Sequence, residues 1–457
     1  MISNQSLPES IFHSVAVTLG RPERAGIVTT FSLVACALFS PAMALGGAAE
    51  TAQSAAPITA THAKSTGVGL SPERVKRIDA VLKQYTEQDR IPGAVVLVLR
   101  DGKPVYERAV GWSDKAVGRR MTMDTIFRLA SQSKAITSAA IMMLVEDGKI
   151  NLDEPVSHFI PTFTKTSVAV RDGDSVKIVP AKRVITIQDL LTHTAGISYG
   201  NEDRVAALYA AKGLGPAAGN GWYTADKDEQ ICETMERLGT LPFVEQPGDA
   251  FVYGYNTDIL GCVIEKASGL SFADFLQTRI AGPLGMKDTR FFLNAADRDR
   301  LAVLYASSDG KYVRAPEGSK GQGHYIEGPR KNFSGGAGLT STARDYSRFL
   351  EMIRNGGRLG DVRIMAPRTV KLMVTNQSGT LHSTGGLGFG YGLQTVDRYG
   401  ASGLAGVGAF GWGGAYGTLY QVDPESGMVI ELMLQLMPND TDFSKKVMTA
   451  IYQALVD

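Results

Sequence analysis

The sequence predicts an α/β fold of the α+β type, in which one antiparallel sheet is built from both ends of the chain. Near the N-terminus a predicted helix precedes two strands joined by a turn, and near the C-terminus two such strands precede a helix. Short helices and Gly/Pro-rich loops fill the long region between them. The simplest assembly pairs the two hairpins in one sheet, covers one face with the terminal helices and places the inserted, mainly helical region on the other face.

Residues 1–45 have the pattern of a secretory signal peptide. Arg21 and Arg24 precede an apolar run over residues 27–39, and Ala42-Met43-Ala44 has small residues where a signal peptidase cleaves. The run is shorter than the ~20 residues of a membrane-spanning helix. We therefore expect a periplasmic or secreted protein.

A lipid anchor is the alternative for the same segment. Leu33-Val34-Ala35-Cys36 resembles a lipoprotein cleavage site, but apolar residues continue past Cys36, where a lipoprotein turns polar. Membrane anchoring is therefore the less favoured interpretation. Residues 46–70 are rich in Ala, Thr, Ser and Gly without periodicity, and they predict a flexible linker.

The predicted folded domain spans residues 71–457, with an α/β part over 71–122 and 338–457 and a mainly helical part over 123–337. Hydrophobic residues make up 44% of the chain and charged residues 20%, which suits a large core. A formal net charge of +1 offers no basic surface for nucleic acid. The expected partner is a small molecule, while the oligomeric state is left open.

The elements at the N-terminal end are a helix and a hairpin. Ser71-Pro72-Glu73 is a helix-capping pattern, and apolar residues follow it at helical spacing. Residues 94–100 are nearly unbroken Val and Leu, Asp101-Gly102 predicts a turn, and residues 105–110 return as a second strand.

Further elements are predicted in the middle and at the C-terminal end. A hairpin is expected between residues 168 and 184. Residues 411–422 predict a strand, residues 423–427 a turn, residues 428–436 a second strand and residues 444–455 a helix.

Two cysteines follow the predicted signal. Cys232 and Cys262 either pair in an oxidising compartment or lie buried as small apolar groups. Neither belongs to a Cys/His pattern typical of zinc sites, and the six histidines are scattered, so we expect no metal.

The strongest chemical signal is a serine and a lysine three residues apart at the opening of an apolar helix. Ser131 and Lys134 precede residues 135–144, which contain no Gly or Pro. Three residues are about one helical turn, so both side chains share a face. A buried lysine that has lost its proton can activate a serine hydroxyl, and the free N–H groups of the helix start can stabilise an oxyanion. The alternative is a chance S-x-x-K in which Ser131 only caps the helix.

Two further stretches carry residues suited to such chemistry. Tyr253 stands where a turn enters an apolar helix, and a tyrosine near a lysine can relay a proton from a serine to a leaving group. Trp412-Gly413-Gly414 combines a flat apolar wall with glycines that let a substrate approach the strand backbone. An ordinary half-buried tyrosine and a β-bulge are the plain alternatives.

Two residues invite a different assignment. Ser198 lies in Gly196-Ile197-Ser198-Tyr199-Gly200, which fits the G-x-S-x-G nucleophile elbow, but no apolar strand precedes it and a polar loop follows. We therefore predict that Ser198 is a loop residue. His193 is a conceivable triad base, and we expect a structural role for it instead.

Together these motifs resemble the serine β-lactamase and penicillin-binding-protein superfamily, in the class C-like branch that includes the family VIII carboxylesterases. The resemblance covers residues 71–457, and the motifs occur in the expected order. They are Ser131-Gln132-Ser133-Lys134, Leu190-Leu191-Thr192-His193-Thr194-Ala195-Gly196, Pro283-Leu284-Gly285-Met286 and Gly335-Gly336-Ala337-Gly338-Leu339.

The resemblance implies a β-lactamase/transpeptidase-like fold and a cofactor-free serine hydrolase that forms an acyl-enzyme. Ser131 would be the nucleophile, Lys134 its base and Tyr253 the proton shuttle of the Y-x-N motif. The strand 412–414 would replace K-T-G and bind substrate, and the oxyanion would lie between the N–H groups of Ser131 and Ala415. Tyr255, at the asparagine position of Y-x-N, would also contact substrate.

The sequence departs from the β-lactamases and D,D-peptidases at two motifs. Trp412-Gly413 replaces Lys-Thr, which removes the cation and hydroxyl that recognise a substrate carboxylate, and Tyr255 replaces the asparagine. Both changes resemble the esterase branch. We therefore expect a carboxylesterase for small or medium acyl esters. A β-lactamase or D-aminopeptidase or D,D-peptidase-like amidase, and a non-catalytic ligand-binding relative, are the alternatives.

Overall fold

The computed structural model describes residues 69–218, 223–308 and 311–456. The predicted signal peptide, the lipid anchor at Cys36 and nearly all of the predicted linker lie outside the described residues. None of the helices in the described ranges is long and apolar enough to span a membrane.

The strands of the described residues follow in chain order. They are β1 (Gly93–Arg100), β2 (Lys103–Asp114), β3 (Arg119–Arg120), β4 (Phe127–Arg128), β5 (Ser167–Asp172), β6 (Ser175–Pro180), β7 (Pro242–Phe243), β8 (Tyr305–Ser308), β9 (Lys311–Arg314), β10 (Thr340–Ser341), β11 (Arg358–Leu359), β12 (Val362–Arg363), β13 (Leu387–Phe389), β14 (Gln394–Val396), β15 (Phe410–Gly413), β16 (Leu419–Asp423) and β17 (Met428–Leu434).

The α-helices of the described residues also follow in chain order. They are α1 (Pro72–Glu87), α2 (Ser133–Glu146), α3 (Ile187–Leu191), α4 (Asp203–Ala211), α5 (Ile231–Leu238), α6 (Asn256–Ser268), α7 (Phe272–Leu276), α8 (Gly282–Leu284), α9 (Ala343–Arg354), α10 (Pro367–Met373) and α11 (Phe443–Gln453).

One antiparallel sheet joins the two ends of the chain, as the sequence predicts. Its eight strands run in the order β13-β14-β15-β16-β17-β1-β2-β3. The central pair is β1 with β17, in register from Ala94 opposite Leu434 to Arg100 opposite Met428. The predicted hairpins β1–β2 and β5–β6 are both present.

The nearly unbroken apolar run of β1 is explained by burial on both faces. Val95, Leu97 and Leu99 belong to the large core on the side of the helical region. Val96 and Val98, which point the other way, belong to a second core beneath α1 and α11. A strand that is buried on both faces has no polar alternation.

The terminal helices cover the second core. The hydroxyl of Ser71 accepts the N–H of Arg74 and caps α1 as predicted. The Arg74 guanidinium donates to the carbonyl of Gln453 at the end of α11, so the two helices are also joined at the surface.

Helix α2 lies in the large core on the sheet face opposite the terminal helices. Its residues from Ser133 to Leu144 are all buried, which agrees with a helix that is apolar around its whole circumference. The helices α6 and α10 pack against α2, and α9 packs between this region and β17.

The structure corrects the predicted strand over residues 411–422. The chain turns back after β15, where the N–H of Gly414 donates to the carbonyl of Thr418 over 2.8 Å and Gly417 has φ of 90°. A position with positive φ favours glycine, so Gly417 marks a turn inside the segment that was predicted as one strand. The short strands β13 and β14 were not predicted either.

The two cysteines of the domain pair. Cys232 of α5 and Cys262 of α6 form a disulfide, which selects one of the two alternatives left open by the sequence. The bond joins two helices of the inserted region that also pack directly on one another.

Candidate active site

The predicted nucleophile lies at a sharp bend between β4 and α2. Residues 130–132 form a single turn of 3-10 helix, and Ala130 has φ of 46°, which is rare for a residue other than glycine. The buried guanidinium of Arg128 anchors the strand before the bend by donating to the carbonyls of Ala302 and Gln322. Ser131 is consequently held at the surface of the core, partly exposed to solvent.

Lys134 lies one turn further along and is 0% exposed. Its Nζ is 3.2 Å from Oγ of Ser131, 3.1 Å from the hydroxyl of Tyr199 and 2.8 Å from the carbonyl oxygen of Gly336. A lysine ammonium has three N–H groups, so these three oxygens use its full donor capacity.

A buried carboxyl group supports the loop that holds Lys134. Oδ1 of Asp258 accepts the N–H of Gly336 over 3.1 Å and the hydroxyl of Ser334 over 2.6 Å. Asp258 is fully buried, and the loss of solvent raises its pKa, while the charge of Lys134 opposes that shift. Asp258 thus binds the N–H of Gly336, while Lys134 binds the carbonyl oxygen of the same residue.

Tyr199 is a site residue that the sequence analysis missed. Burial, with a smaller contribution from Tyr253, raises the pKa of its phenol well above the ordinary value, so the hydroxyl is neutral at physiological pH. A signal was available, because Tyr199 stands next to Ser198 in the G-x-S-x-G sequence.

Tyr253 lies on the other side of Lys134. Its ring centroid is 4.7 Å from Nζ of Lys134, and its ring meets that of Tyr199 edge-on at 5.9 Å. The hydroxyl of Tyr253 accepts the indole N–H of Trp412 over 3.0 Å. Gly254 permits this approach, because a Cβ there would lie 2.2 Å from the carbonyl of Ile197.

His193 supports Tyr253 from behind. The rings are 4.6 Å apart, and Nδ1 of His193 is 2.9 Å from the side-chain amide of Asn256. Burial is the main reason that the pKa of His193 lies well below its ordinary value, with Lys134 and His382 adding to the effect. A neutral, fully buried imidazole in contact with an amide has a structural role.

Strand β15 brings Trp412, Gly413 and Gly414 against the bend that carries Ser131. A Cβ on Gly414 would lie 2.2 Å from the carbonyl of Leu129, and the hydroxyl of Thr418 donates to the same carbonyl. Only glycine permits this contact. Ala415, the predicted second oxyanion donor, follows directly.

Two other residues lie away from the open site. Tyr255 is 1% exposed, its hydroxyl accepts the N–H of Gly215, and its ring lies behind Tyr199 at 4.9 Å. This placement does not support the predicted substrate contact of Tyr255. The hydroxyl of Ser198 is buried and bound to Glu202 in a loop that no strand enters.

The arrangement brings together a serine hydroxyl, a lysine amine and two phenols. Within the described ranges, no group of three or more His, Cys, Asp or Glu side chains is placed to hold a metal ion.

Comparison with known proteins gives a family and several relatives. The family model described as Beta-lactamase matches residues 78–453. Esterase EstB of Burkholderia gladioli is 33% identical over 373 residues, which cover 78% of this chain and 89% of that protein. Lovastatin esterase of Penicillium rubens is 30% identical over 62% of this chain and 69% of that protein.

A solved structure agrees in fold. EstCE1, described as a hydrolase with promiscuous acyltransferase activity, superposes with a TM-score of 0.69 at 27% identity and covers 83% of this chain and 98% of that one. Because the family model matches residues 78–453 and the fold agrees with that of EstCE1, this chain belongs to the beta-lactamase family.

Proposed function

We propose that this protein is a serine carboxylesterase that hydrolyses esters with small or medium acyl groups through an acyl-enzyme on Ser131. The observation that carries the proposal is the position of Lys134 Nζ between Ser131 Oγ, Tyr199 and Gly336. After loss of one proton, the amine keeps two N–H donors for Tyr199 and Gly336 and presents its lone pair to Ser131.

The proposed reaction has two halves. Oγ of Ser131 attacks the ester carbonyl carbon while its proton passes to Lys134, and the N–H groups of Ser131 and Ala415 stabilise the oxyanion. The bond to the alcohol oxygen then breaks, Tyr253 gives its hydroxyl proton to the leaving alcohol, and the proton that Lys134 took from Ser131 passes to the Tyr253 oxygen. Water adds to the acyl carbon in the second half, which releases the acid and restores the Ser131 hydroxyl.

The preference for esters over β-lactams rests on β15. Trp412 places an indole where a carboxylate-binding lysine would stand, and its N–H is already used by Tyr253. An apolar wall favours neutral acyl and alcohol groups, while a carboxylate would lose hydration without gaining a cation. The sequence similarity to Esterase EstB also supports an ester as the substrate.

The test compares p-nitrophenyl esters of two to eight carbons with nitrocefin, for the parent, Ser131→Ala and Ser198→Ala. Loss of a covalent nucleophile lowers turnover by ~10⁴-fold or more, so Ser131→Ala should be inactive and Ser198→Ala should keep most activity. An inactive Ser198→Ala with an active Ser131→Ala would refute the mechanism. Faster turnover of nitrocefin than of any ester would favour a β-lactamase.

We also propose that the protein is exported. The Cys232–Cys262 disulfide is the kind of bond that persists in oxidising compartments, and it accompanies the predicted signal sequence. N-terminal sequencing of protein from the periplasm or medium should find a start near Leu45. An active cytoplasmic protein that retains Met1 would refute export, and a lipid on Cys36 would replace it with anchoring.

A further inference from the structure

We infer that Phe251, His382 and Trp412 form a subsite for an aromatic group in the alcohol part of the substrate, and this inference rests on the proposed esterase function. We call these three side chains the aromatic wall. Each of them is partly exposed, although they come from three segments that are far apart in sequence.

The rings of the aromatic wall form a continuous row that adjoins Tyr253. The ring of Trp412 lies 5.6 Å from that of Tyr253, and the ring of His382 follows at 6.4 Å from Trp412. Phe251 meets His382 edge-on at 4.5 Å. These distances lie in the range in which aromatic rings attract one another, so a further ring can join the row.

A buried phenylalanine fixes the wall from behind. The ring of Phe389 is 5.1 Å from Phe251, 5.5 Å from His382 and 5.3 Å from Trp412, and Phe389 itself is 0% exposed. A rigid backing means that little side-chain freedom remains to be lost when a ligand binds.

The wall is uncharged at neutral pH. Burial is the main cause that lowers the pKa of His382 below its ordinary value, against a smaller opposing effect of Asp397. A side-chain amide, that of Gln394, lies 2.9 Å from Nε2 of His382. The imidazole therefore acts as a flat, neutral surface between an indole and a phenyl ring.

The position of the wall selects one side of the ester. Tyr253 is the proposed proton donor to the leaving alcohol, so the alcohol oxygen must come within reach of its hydroxyl. The indole N–H of Trp412 binds that same hydroxyl. The group attached to the alcohol oxygen is thus directed onto the wall.

The test uses three esters that separate the two sides of the bond. Ethyl acetate is the reference, benzyl acetate adds a ring to the alcohol, and ethyl phenylacetate adds a ring to the acyl group. For the parent enzyme, kcat/KM for benzyl acetate should exceed that for ethyl acetate by about tenfold. Phe251→Ala and His382→Ala should each remove most of this preference and leave ethyl acetate and ethyl phenylacetate within about twofold of the parent.

Two control variants distinguish a specific loss of ring binding from a general loss of structure. His382 lies outside helices and strands, and His382→Phe preserves the ring, so this variant should keep the benzyl preference that His382→Ala loses. Tyr399, which is 62% exposed and outside the wall, provides Tyr399→Ala as the matched aromatic control with parent-like ratios.

Two outcomes would overturn the inference. Equal losses on all three esters would make the wall a structural cluster, and a loss confined to ethyl phenylacetate would move the subsite to the acyl side. These two results can be distinguished from a failure of the proposed esterase function. In that case, Ser131→Ala would hydrolyse ethyl acetate as fast as the parent.

Discussion

The N–H of Gly336 donates to Oδ1 of Asp258 over 3.1 Å, and the carbonyl of the same residue accepts from Lys134 over 2.8 Å. Gly336 therefore connects a buried carboxyl group with the base of the proposed mechanism through its two neighbouring peptide groups. The position of Lys134 Nζ relative to Ser131 depends on a residue that cannot touch the substrate.

We predict that Asp258→Ala lowers kcat on p-nitrophenyl butyrate by roughly ten- to hundredfold. A displacement of about 1 Å at a reacting group is enough for such a loss. The free energy of unfolding should also fall by about 1–3 kcal/mol, because the N–H of Gly336 loses its buried acceptor.

Asp258→Asn is the matched control for this prediction. The amide oxygen can still accept from Gly336 and Ser334, so this variant should keep kcat within about tenfold of the parent. Equal kcat values for the alanine variant and the parent, measured with folded protein, would show that Asp258 does not position Lys134.

The two tyrosines beside Lys134 should respond differently to the leaving group. Tyr253→Phe removes the proposed proton donor, so kcat on ethyl butyrate should fall by about 10²–10³-fold. The loss on p-nitrophenyl butyrate should be much smaller, since p-nitrophenolate departs without a proton.

Tyr199→Phe removes an oxygen that binds Nζ of Lys134 and therefore acts on the base. We expect a loss that is similar for both esters. The reverse pattern, with a leaving-group effect only in Tyr199→Phe, would assign the proton transfer to Tyr199 instead of Tyr253.

We predict that residues of β15 determine the preference between neutral and carboxylate-bearing substrates. A double variant, Trp412→Lys with Gly413→Thr, restores a cation and a hydroxyl, and a buried charge-assisted hydrogen bond is worth ~1.5–3 kcal/mol. The ratio of kcat/KM for a cephalosporin to that for a neutral butyrate ester should therefore rise by roughly one to two decades. A Cβ at Gly413 would begin 3.2 Å from the carbonyl of Thr418, so only a small shift is needed.

In the double variant, Trp412→Lys removes both the apolar ring and the indole N–H that Tyr253 accepts. Trp412→Phe separates these two effects, because it removes the N–H and retains an apolar ring. Because the proposed role of Tyr253 is common to both substrates, this control should lower activity on the ester and on the cephalosporin alike, and their ratio should not rise. An unchanged ratio in the double variant would mean that Trp412 does not set the charge preference.

The stability of the protein should depend on pH through Glu431. This residue lies in β17, is 0% exposed, and neither of its carboxyl oxygens has a hydrogen-bond partner among the described residues. Burial raises its pKa well above the ordinary value. The folded state therefore binds a proton that the unfolded chain releases from about pH 4.3.

The sign follows from proton linkage. Because the folded state holds more protons, the free energy of unfolding falls as pH rises from about 4.3 toward the pKa of the folded state, by ~1.4 kcal/mol for each unit between the two pKa values. Glu431→Gln carries no titrating group, so its stability advantage over the parent should be larger at pH 8 than at pH 4. Urea unfolding of both proteins at the two pH values measures the difference between their free energies of unfolding. The same difference at pH 4 and at pH 8 would contradict the prediction.

The sequence by itself determined the elements whose signals are local. The apolar run of β1, the capping pattern at Ser71 and the apolar run of α2 without Gly or Pro each depend on neighbouring residues, so their positions are predictable from pattern. The spacing of Ser131 and Lys134 is local in the same way, since one helical turn fixes it.

Tertiary structure decided which distant residues surround Lys134. Tyr199 is 65 positions away and Gly336 is 202, and only the packing of the loops before α4 and α9 on α2 brings them to Nζ. The packing of α5 on α6 brings Cys232 to Cys262. The turn after β15 became visible only through the contact of Gly414 with Leu129. Such contacts depend on how elements pack in space, and no short window of sequence contains that information.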